Sequence, residues 1–304
     1  MTFDKIRLDH KQKIDTFLNN FEPYSDFNFV SLYSWAIGSG VDISMSDDSI
    51  FIKLPDYITQ NPVFSFLIKG NFNTELVKIL KWMRDNGHPL EFKLVPEANI
   101  YHIRNYLESI EINHSIREDK GEFDYIINVE DLFKSIGSQY QDHRYKISKL
   151  KRTWGDRLKK IEFNPRDDKH VNDAFELSKS WFNSKRTNQS MDDTELLAID
   201  RFFKLSSRLP SIRFSALCID NKLVAFSSYE VLSNEYAIGH FLKYVPEIRG
   251  LYDFLLHESA ADLYSLGIEK INIEQDLDVQ NLRSAKMHLR PCKYLKKFSV
   301  EIQD

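Results

Sequence analysis

Carboxylates on predicted core strands are the first candidates for chemistry in this chain. Glu274 and Asp276 fall near the end of one predicted strand, and side chains two residues apart in a strand share a face. Glu230 falls on a second predicted core strand. A buried carboxylate with a raised pKa can remove a proton from an amine or a hydroxyl group. These residues are therefore candidate catalytic residues, and ion pairs with Lys243 or Arg283 are the structural alternative.

His240 is a further candidate catalytic residue. It falls in the middle of a predicted strand, on the face that carries Tyr236, Ile238 and Leu242. That strand leads into a glycine turn, which is a suitable place for a proton acceptor. A histidine that only satisfies a hydrogen bond in the core is the simpler interpretation of the same pattern.

The turn after that strand is a candidate anion site. Arg249 and Gly250 open the next predicted helix, whose free N–H groups and positive dipole end favour an anion. A turn that holds coenzyme A normally has a basic or amide residue at its start and small residues at its end. Here Glu247 and Tyr252 stand at those positions, which argues against ordinary acetyl-coenzyme A binding. The alternative is that Gly250 serves only a tight turn.

A basic stripe follows the strand of Glu274. Arg283 and Lys286 are three residues apart on a predicted helix from Val279 to Leu289, so they lie on one side of it. They could bind a phosphate of a donor or an acceptor, or pair with the carboxylates of the preceding strand. Together with Lys243 and the turn residues Arg249, Gly250 and Tyr252, they form the candidate donor-binding set.

A second basic surface is predicted on the helix from Gln139 to Trp154. One seam of this helix faces the protein, and cations project elsewhere. The seam consists of Tyr140, His143, Ile147, Leu150 and Trp154, and the candidate contacts for tRNA or another anion are Arg144, Lys146, Lys149 and Arg152. Binding through these cations would weaken with salt. A solvated charged face is the structural alternative.

The composition limits the function classes. The chain has 304 residues, a formal net charge of -4 and a pI near 6.2, which argue against a general nucleic-acid coat but allow a local basic patch. Cys218 and Cys292 lack the spacing of a zinc site or a disulfide framework, so we predict no metal and a reducing, cytoplasmic location. No apolar run is long enough for an integral membrane segment, although peripheral contact with a membrane remains compatible with the sequence.

The order of predicted elements indicates an α+β fold with two tandem domains. The second half gives a strand, two helices, three strands, a helix, a strand, a helix and a strand, which resembles the Gcn5-related N-acetyltransferase (GNAT) fold. The predicted strands are 160–163, 213–219, 223–231, 236–244, 270–276 and 295–302, and the helices are 168–183, 192–207, 250–265 and 279–289. The first half is a weaker copy. We therefore predict a degenerate GNAT-like domain over residues 1–132 and a GNAT-like domain with the active site over residues 133–304, each a mixed, mostly antiparallel sheet flanked by helices.

At the level of residues the chain resembles the family built around the C-terminal catalytic domain of bacterial phosphatidylglycerol lysyltransferases. The pieces that carry the resemblance include Phe27 to Trp35, Glu122 to Tyr125, Tyr140 to Lys149, Ala225 to Glu230, His240 with Lys243, Arg249 with Tyr252, Asn272 to Leu277, and Leu282 to Lys286. The chain departs from that pattern at Leu242, Ile273 and Gln275, where the family tends to have Glu, Arg and Glu.

The resemblance implies transfer of an aminoacyl group from aminoacyl-tRNA to an acceptor, which in the named enzymes is a lipid. The leading hypothesis is therefore a transferase with aminoacyl-tRNA as donor and a small molecule or lipid headgroup, bearing an amine or hydroxyl, as acceptor. One alternative is an N-acyltransferase that uses acyl-coenzyme A. The other is a non-catalytic GNAT-like module that binds RNA or a partner through the basic helix.

Overall fold

The computed structural model describes residues 1–185, 189–233 and 235–303 of the chain. Within them the chain forms two compact units, each assembled from separate segments. Unit 1 contains Met1–Tyr125, Gln275–Lys286 and the segment from Tyr294 onward, and unit 2 contains Ile126–Glu274 and Met287–Lys293. The sequence predicted one division between residues 132 and 133, whereas each compact unit includes a segment from the other half of the chain.

The first half of the chain alternates strands and helices. In chain order its elements are β1 (Asp4–Lys5), α1 (Lys11–Leu18), α2 (Phe29–Ser34), β2 (Asp42–Met45), β3 (Ser49–Pro55), β4 (Pro62–Ile68), α3 (Phe72–Asp85), β5 (Glu91–Pro96), α4 (Glu97–Ser109), β6 (His114–Glu118) and β7 (Asp124–Asn128). Asn28 and Asn71 accept hydrogen bonds from backbone N–H groups at the starts of α2 and α3, which fixes where those helices begin. The short strands β1 and β2 were not predicted.

The second half repeats this order after two helices that join the halves. Its elements are α5 (Val129–Lys134), α6 (Gln141–Trp154), β8 (Leu158–Ile161), α7 (Asp168–Lys185), α8 (Gln189–Ser206), β9 (Ile212–Ile219), β10 (Lys222–Val231), β11 (Tyr236–Tyr244), α9 (Leu251–Ser265), β12 (Lys270–Asn272), α10 (Gln280–His288), β13 (Lys293–Leu295) and β14 (Lys297–Ile302). The short elements α5 and β13 were not predicted. The strand predicted to reach Asp276 ends at Asn272.

Unit 1 is built on two sheets and one large apolar core. The first sheet is antiparallel in the order β1-β2-β3-β4, and the second has the order β5-β14-β6. In the second sheet Val300 of β14 lies opposite Phe92 of β5 and Ile116 of β6, both antiparallel. The core includes Phe51, Phe66, Met83, Phe92 and Val300. The last strand of the chain is thus the central strand of a sheet in unit 1.

Unit 2 is built on a sheet in the order β7-β12-β11-β10-β9-β8, with β13 beside β7. The pairing of β11 with β12 is parallel, and β8 to β11 pair antiparallel. Phe226 of β10 packs on Phe203 of α8, while its neighbour Ala225 packs in a cluster with Leu255 of α9. Because neighbouring strand residues point to opposite faces, α8 and α9 cover opposite faces of this sheet.

The two halves of the chain have the same order of secondary-structure elements. The last strand of each half pairs with strands of the other half. In each half a strand, two helices, three strands, a helix, a strand, a helix and two strands follow one another. The last strand of the second half, β14, lies between β5 and β6, and the last strand of the first half, β7, lies between β12 and β13. This repeat confirms the α+β fold with a tandem GNAT-like order of elements. No helix in the described ranges is long and apolar enough to cross a membrane.

Candidate functional site

A β-bulge places His240 in unit 2. The pairing of β10 with β11 passes from Tyr229–Gly239 to Ser228–Phe241, so His240 is the extra residue on β11. Such bulges bend a strand and redirect its side chains, and they occur often beside active sites. The local sequence contains a glycine before the histidine, which is compatible with a bulge but does not by itself predict one.

The bulge changes which side chains share a face of β11. The rings of both His240 and Phe241 lie beside Phe202 of α8, at centroid distances of 5.5 and 5.1 Å. Leu242 instead packs in the clusters formed with α9, on the other face. The prediction that His240 and Leu242 share a face is therefore wrong, because it assumed regular alternation along the strand.

His240 lies next to Glu274. The Nδ1 atom of His240 is 3.7 Å from Oε1 of Glu274, and the two side chains are 3% and 25% exposed. Nε2 of His240 is buried and has no hydrogen-bond partner among the described residues. The structure thus brings together two of the predicted catalytic residues, with the carboxylate on the solvent side of the imidazole.

A tight turn after β12 separates the two carboxylates that were predicted to act together. Oδ1 of Asn272 accepts a hydrogen bond from the N–H of Glu274 at 2.7 Å, and Glu274 has a φ of 60°. A side-chain acceptor of this kind competes with strand pairing and ends the strand. The prediction that Glu274 and Asp276 share a strand face is therefore wrong, and Asp276 belongs to unit 1.

Lys243 is a buried cation on the same face of β11 as Phe241. Its Nζ atom lies 2.6 Å from Oε1 of Glu195 and 4.1 Å from the ring centroid of Trp181. The ring of Phe182 lies 4.8 Å from the same atom. Glu195 and Trp181 were missed by the sequence analysis, because nothing in the spacing of α7 and α8 indicates which of their residues face β11.

Glu230 occupies a more enclosed position than Glu274. It lies near the end of β10, is 1% exposed and accepts a hydrogen bond from the hydroxyl of Ser211 at 3.1 Å. A carboxylate this deeply buried is a poor first contact for a substrate.

The turn at Gly250 is filled by protein. Gly250 has a φ of 86°, and a Cβ atom there would lie 2.6 Å from the backbone oxygen of Lys146 in α6. Asp253, in the first turn of α9, lies 3.0 Å from Nδ1 of His143. A carboxylate therefore already occupies the positive end of α9, where a second anion is disfavoured.

Of the other two predicted turn residues, Tyr252 is packed against protein and Arg249 is not. The ring of Tyr252 packs on Tyr244 at a centroid distance of 5.5 Å, and burial raises the pKa of the Tyr252 hydroxyl. Arg249 is exposed. Gly250 has a packing role here, since only a residue without a side chain lets α6 approach so closely.

The cations of the basic helix α6 fall into two groups: some make contacts within the protein, and others are exposed. The predicted seam is confirmed, since Tyr140, His143, Ile147 and Leu150 are buried and Trp154 is half-buried. Arg144 donates to the carbonyl oxygens of Ser135 and Gly137, and Lys146 pairs with Asp142 at 2.7 Å. Lys149 and Arg152 are exposed and have no ion-pair partner in the described part of the chain.

Asp276 is the centre of a polar cluster in unit 1. Its carboxylate is fully buried and accepts two hydrogen bonds from Arg283 at 2.7 and 2.9 Å. The hydroxyl of Tyr125 and the N–H of Asp278 also donate to it. Burial opposes ionisation, but the hydrogen bonds from Arg283 and Tyr125 outweigh it and hold the pKa of Asp276 below its usual value. Burial and the neighbouring Asp276 raise the pKa of Tyr125 to about 12.

Unit 1 also contains a buried ion cluster around Lys297 that the sequence analysis missed. The Lys297 ammonium contacts the carboxylates of Asp26 and Asp124, the latter at 2.8 Å, and all three side chains are fully buried. Burial and the negative charge of Asp26 raise the pKa of the neighbouring Glu122 to about 8. No group of three or more side chains able to hold a metal ion occurs within the described ranges.

The comparisons with known proteins agree with this fold. A family model described as phosphatidylglycerol lysyltransferase, C-terminal, matches residues 19–301. A conserved protein of unknown function from Bacteroides thetaiotaomicron VPI-5482 is 20% identical, with a TM-score of 0.86 over 100% of both chains. A search of curated protein sequences gave no significant match.

Two further solved structures carry descriptive names. The C-terminal domain of a putative lysylphosphatidylglycerol synthetase from Agrobacterium fabrum is 14% identical, with a TM-score of 0.64 over 97% of this chain and 92% of that one. L-PGS from Bacillus licheniformis is 13% identical, with a TM-score of 0.64 over 98% of this chain and 92% of that one. At such identities these likenesses show a shared fold.

Proposed function

Because this chain belongs to the phosphatidylglycerol lysyltransferase C-terminal family of acyltransferases, we propose that it moves an aminoacyl group from aminoacyl-tRNA to an amine or hydroxyl acceptor. The His240–Glu274 pair at the bulge of β11 is the observation that carries the proposal. This pair supplies a partly exposed carboxylate next to a buried imidazole. The family to which the chain belongs is named for transfer of a lysyl group.

Glu274 is the general base in the proposed reaction. Its carboxylate takes the proton from the acceptor as the acceptor nitrogen or oxygen attacks the ester carbonyl of the aminoacyl-tRNA. The tetrahedral intermediate then breaks the ester bond, and the proton passes from Glu274 to the departing ribose oxygen of the tRNA. His240 lies behind the carboxylate and positions it through the contact between Nδ1 and Oε1.

The turn at Gly250 supports tRNA over coenzyme A as the donor carrier. The close approach of α6 and the carboxylate of Asp253 occupy the place where a pyrophosphate would meet the N-terminus of α9. On α6 the exposed Lys149 and Arg152 offer charge for tRNA phosphates instead. This proposal requires two partners: cytoplasmic tRNA, and an acceptor that is a small molecule or a lipid headgroup.

The test is a donor-discharge assay on the purified protein. We would incubate it at low salt with a mixed aminoacyl-tRNA pool and varied acceptors, and separately with an acyl-coenzyme A panel. We expect protein-dependent discharge of at least one aminoacyl-tRNA. Discharge of acyl-coenzyme A alone would support an N-acyltransferase, and binding of tRNA without any discharge would support a non-catalytic module.

Substitution of Glu274 makes the assay specific to the proposed site. We expect Glu274→Gln to lower the transfer rate by about 10²- to 10⁴-fold, because that is the usual contribution of a general base. Glu162→Gln is the matched control, since Glu162 is an exposed carboxylate of the same unit. Equal rates for the two variants would rule out Glu274 as the base.

A further inference from the structure

Unit 2 contains a cavity between its edge strand β8 and the start of helix α7. Its volume is about 190 Å³, and all of its lining residues belong to unit 2. Lys159 of β8 lies opposite Cys218 of β9, which lies opposite Leu223 of β10, so these three side chains share the face that forms the floor. Lys169 and His170 of α7 line the other side. Since a cavity of about 150 Å³ can hold a benzene molecule, this one has room for a ligand with a single ring.

His170 has a hydrogen-bond donor available for a ligand. Its Nδ1 atom accepts the backbone N–H of Asn164 at 3.1 Å, and a neutral imidazole that accepts at Nδ1 carries its proton on Nε2. The ring is held against Phe163 at a centroid distance of 5.4 Å and is 24% exposed. The carboxylate of Asp167 lies 4.0 Å from Nδ1, the nitrogen already in use, and caps α7 by accepting the backbone N–H of Lys169. Among the described residues the Nε2–H group has no acceptor.

Lys159 is a cation whose charge is not compensated by any carboxylate in the described part of the chain. It is an exposed residue of β8, and none of the ion pairs of the described residues includes it. The other cations of the lining are paired, since Arg157 donates to Asp220 at 2.8 Å and Lys169 lies 2.8 Å from Asp173. The cavity thus offers one uncompensated positive charge in addition to the imidazole N–H group.

We infer that this cavity binds a small organic acid, whose carboxylate accepts hydrogen bonds from the Lys159 ammonium and from Nε2–H of His170. One uncompensated cation matches the single charge of a carboxylate, whereas a phosphate monoester carries about −1.5 to −2 at neutral pH. Ile161 lines the cavity and is only partly buried, so it offers a contact for the apolar part of the acid. The lining residues do not include His240 or Glu274, so this ligand site goes beyond the proposed transfer.

The test measures binding of para-fluorobenzoate to the full chain by fluorine NMR at low salt. The matched neutral probe is para-fluorobenzyl alcohol, which has the same ring and no charge. We expect the acid to bind about five-fold more tightly than the alcohol, which is the effect of a favourable exposed ion pair. Equal affinities for the two probes would overturn the inference.

Variants locate the binding in the cavity. We expect Lys159→Gln and His170→Phe to remove most of the preference for the acid, since the phenylalanine keeps a ring against Phe163 but lacks the N–H group. Lys160→Gln is the control, because Lys160 is the next residue of β8 and its Nζ atom lies 3.4 Å from Glu258 of α9, on the opposite face of the sheet. Lys159 is exposed, so its variant should fold even if His170→Phe does not. A preference that persists in Lys159→Gln, or that falls equally in Lys160→Gln, would overturn the inference.

A competition experiment separates a carboxylate site from a phosphate site. Benzoate and phenyl phosphate share a ring and differ in the acidic group, and each is titrated against the bound fluorinated acid. We expect benzoate to displace the probe at the lower concentration. Displacement by phenyl phosphate at a lower concentration than by benzoate would overturn the inference in favour of a phosphate group. The donor-discharge assay is independent of this experiment, so acid binding that needs Lys159 would support the cavity even if no donor is discharged.

Discussion

Lys297 compensates two buried carboxylates in unit 1. Because Asp26 and Asp124 are fully buried against its ammonium, removing the cation would leave uncompensated charge in the core. We expect Lys297→Met to lower the free energy of unfolding by about 3–5 kcal/mol, measured by urea denaturation. Lys296→Met is the control, since the Lys296 side chain is 40% exposed and solvent-screened ion pairs contribute little to stability. Similar losses in both variants would contradict the role of Lys297.

Glu122 should make the stability of the protein fall as pH rises. Burial and the charge of Asp26 raise its pKa to about 8 in the folded state, against roughly 4.3 in an unfolded chain. Between these values the folded state holds a proton that the unfolded state has released, so the free energy of unfolding decreases with pH. The slope due to this group is at most about 1.4 kcal/mol per pH unit.

Substituting Glu122 tests this directly. We expect Glu122→Gln to remove that decrease, so that urea denaturation between pH 5 and pH 8 gives a flatter profile than the wild type. Glu108→Gln should keep the wild-type profile, because Glu108 is exposed on α4. An unchanged slope in Glu122→Gln would show that Glu122 titrates normally.

At the residue scale, the sequence identified residues of the site but did not show which of them lie next to one another. His240 and Glu274 were each named as candidates, but their proximity depends on the bulge in β11 and the turn after Asn272, which tertiary pairing decides. The pairing of Arg283 with a carboxylate was one of two alternatives, and the structure contains it at Asp276. Lys297 gave no signal, because an inward-facing lysine is recognisable only when its acidic partners are known.

At the element scale, α9 begins and ends at glycines with different surroundings. Gly250 and Gly267 both have positive φ, but a Cβ on Gly250 would meet the backbone of Lys146, while one on Gly267 would lie in open space. We expect Gly267→Ala to cost about 1–2 kcal/mol of unfolding free energy from backbone conformation alone. Gly250→Ala should cost more, because α6 must also move. Thermal or urea denaturation of both variants measures the difference, and equal costs would argue against close packing of α6 on this turn.

Long helices and strands were predictable from the sequence, and the short strands were not. β11 has the predicted bounds, and α7 and α9 differ from prediction by only one or two residues. These segments are long, and turn residues or a glycine mark ends of β11 and α9 in the sequence. β1 and β13 have two and three residues, too few for alternation to be detected. β12 was predicted too long, because it ends where the Asn272 side chain accepts a hydrogen bond from the N–H of Glu274, and no glycine or proline marks that end in the sequence.

At the scale of the whole molecule, the repeated order of elements was predictable and the exchange of last strands was not. The order follows from local patterns along the chain. The choice of partner for β7 and β14 is a matter of long-range pairing, for which a linear pattern holds no signal. The central strand of the β5-β14-β6 sheet therefore comes from the far end of the sequence.

This exchange predicts that the C-terminal strand stabilises the N-terminal half. Phe298, Val300 and Ile302 of β14 lie in the core of unit 1, and burying three such side chains contributes roughly 5–9 kcal/mol. That is comparable with the whole stability of a typical domain, about 5–15 kcal/mol. Deleting residues 297–304 should therefore abolish amide hydrogen-exchange protection in β5 and β6 while β9 and β10 of unit 2 stay protected. Glu301→Ala, an exposed change on the same strand, should leave both regions protected. Loss of protection in β9 and β10 with β5 and β6 intact would mean that β14 stabilises unit 2 instead.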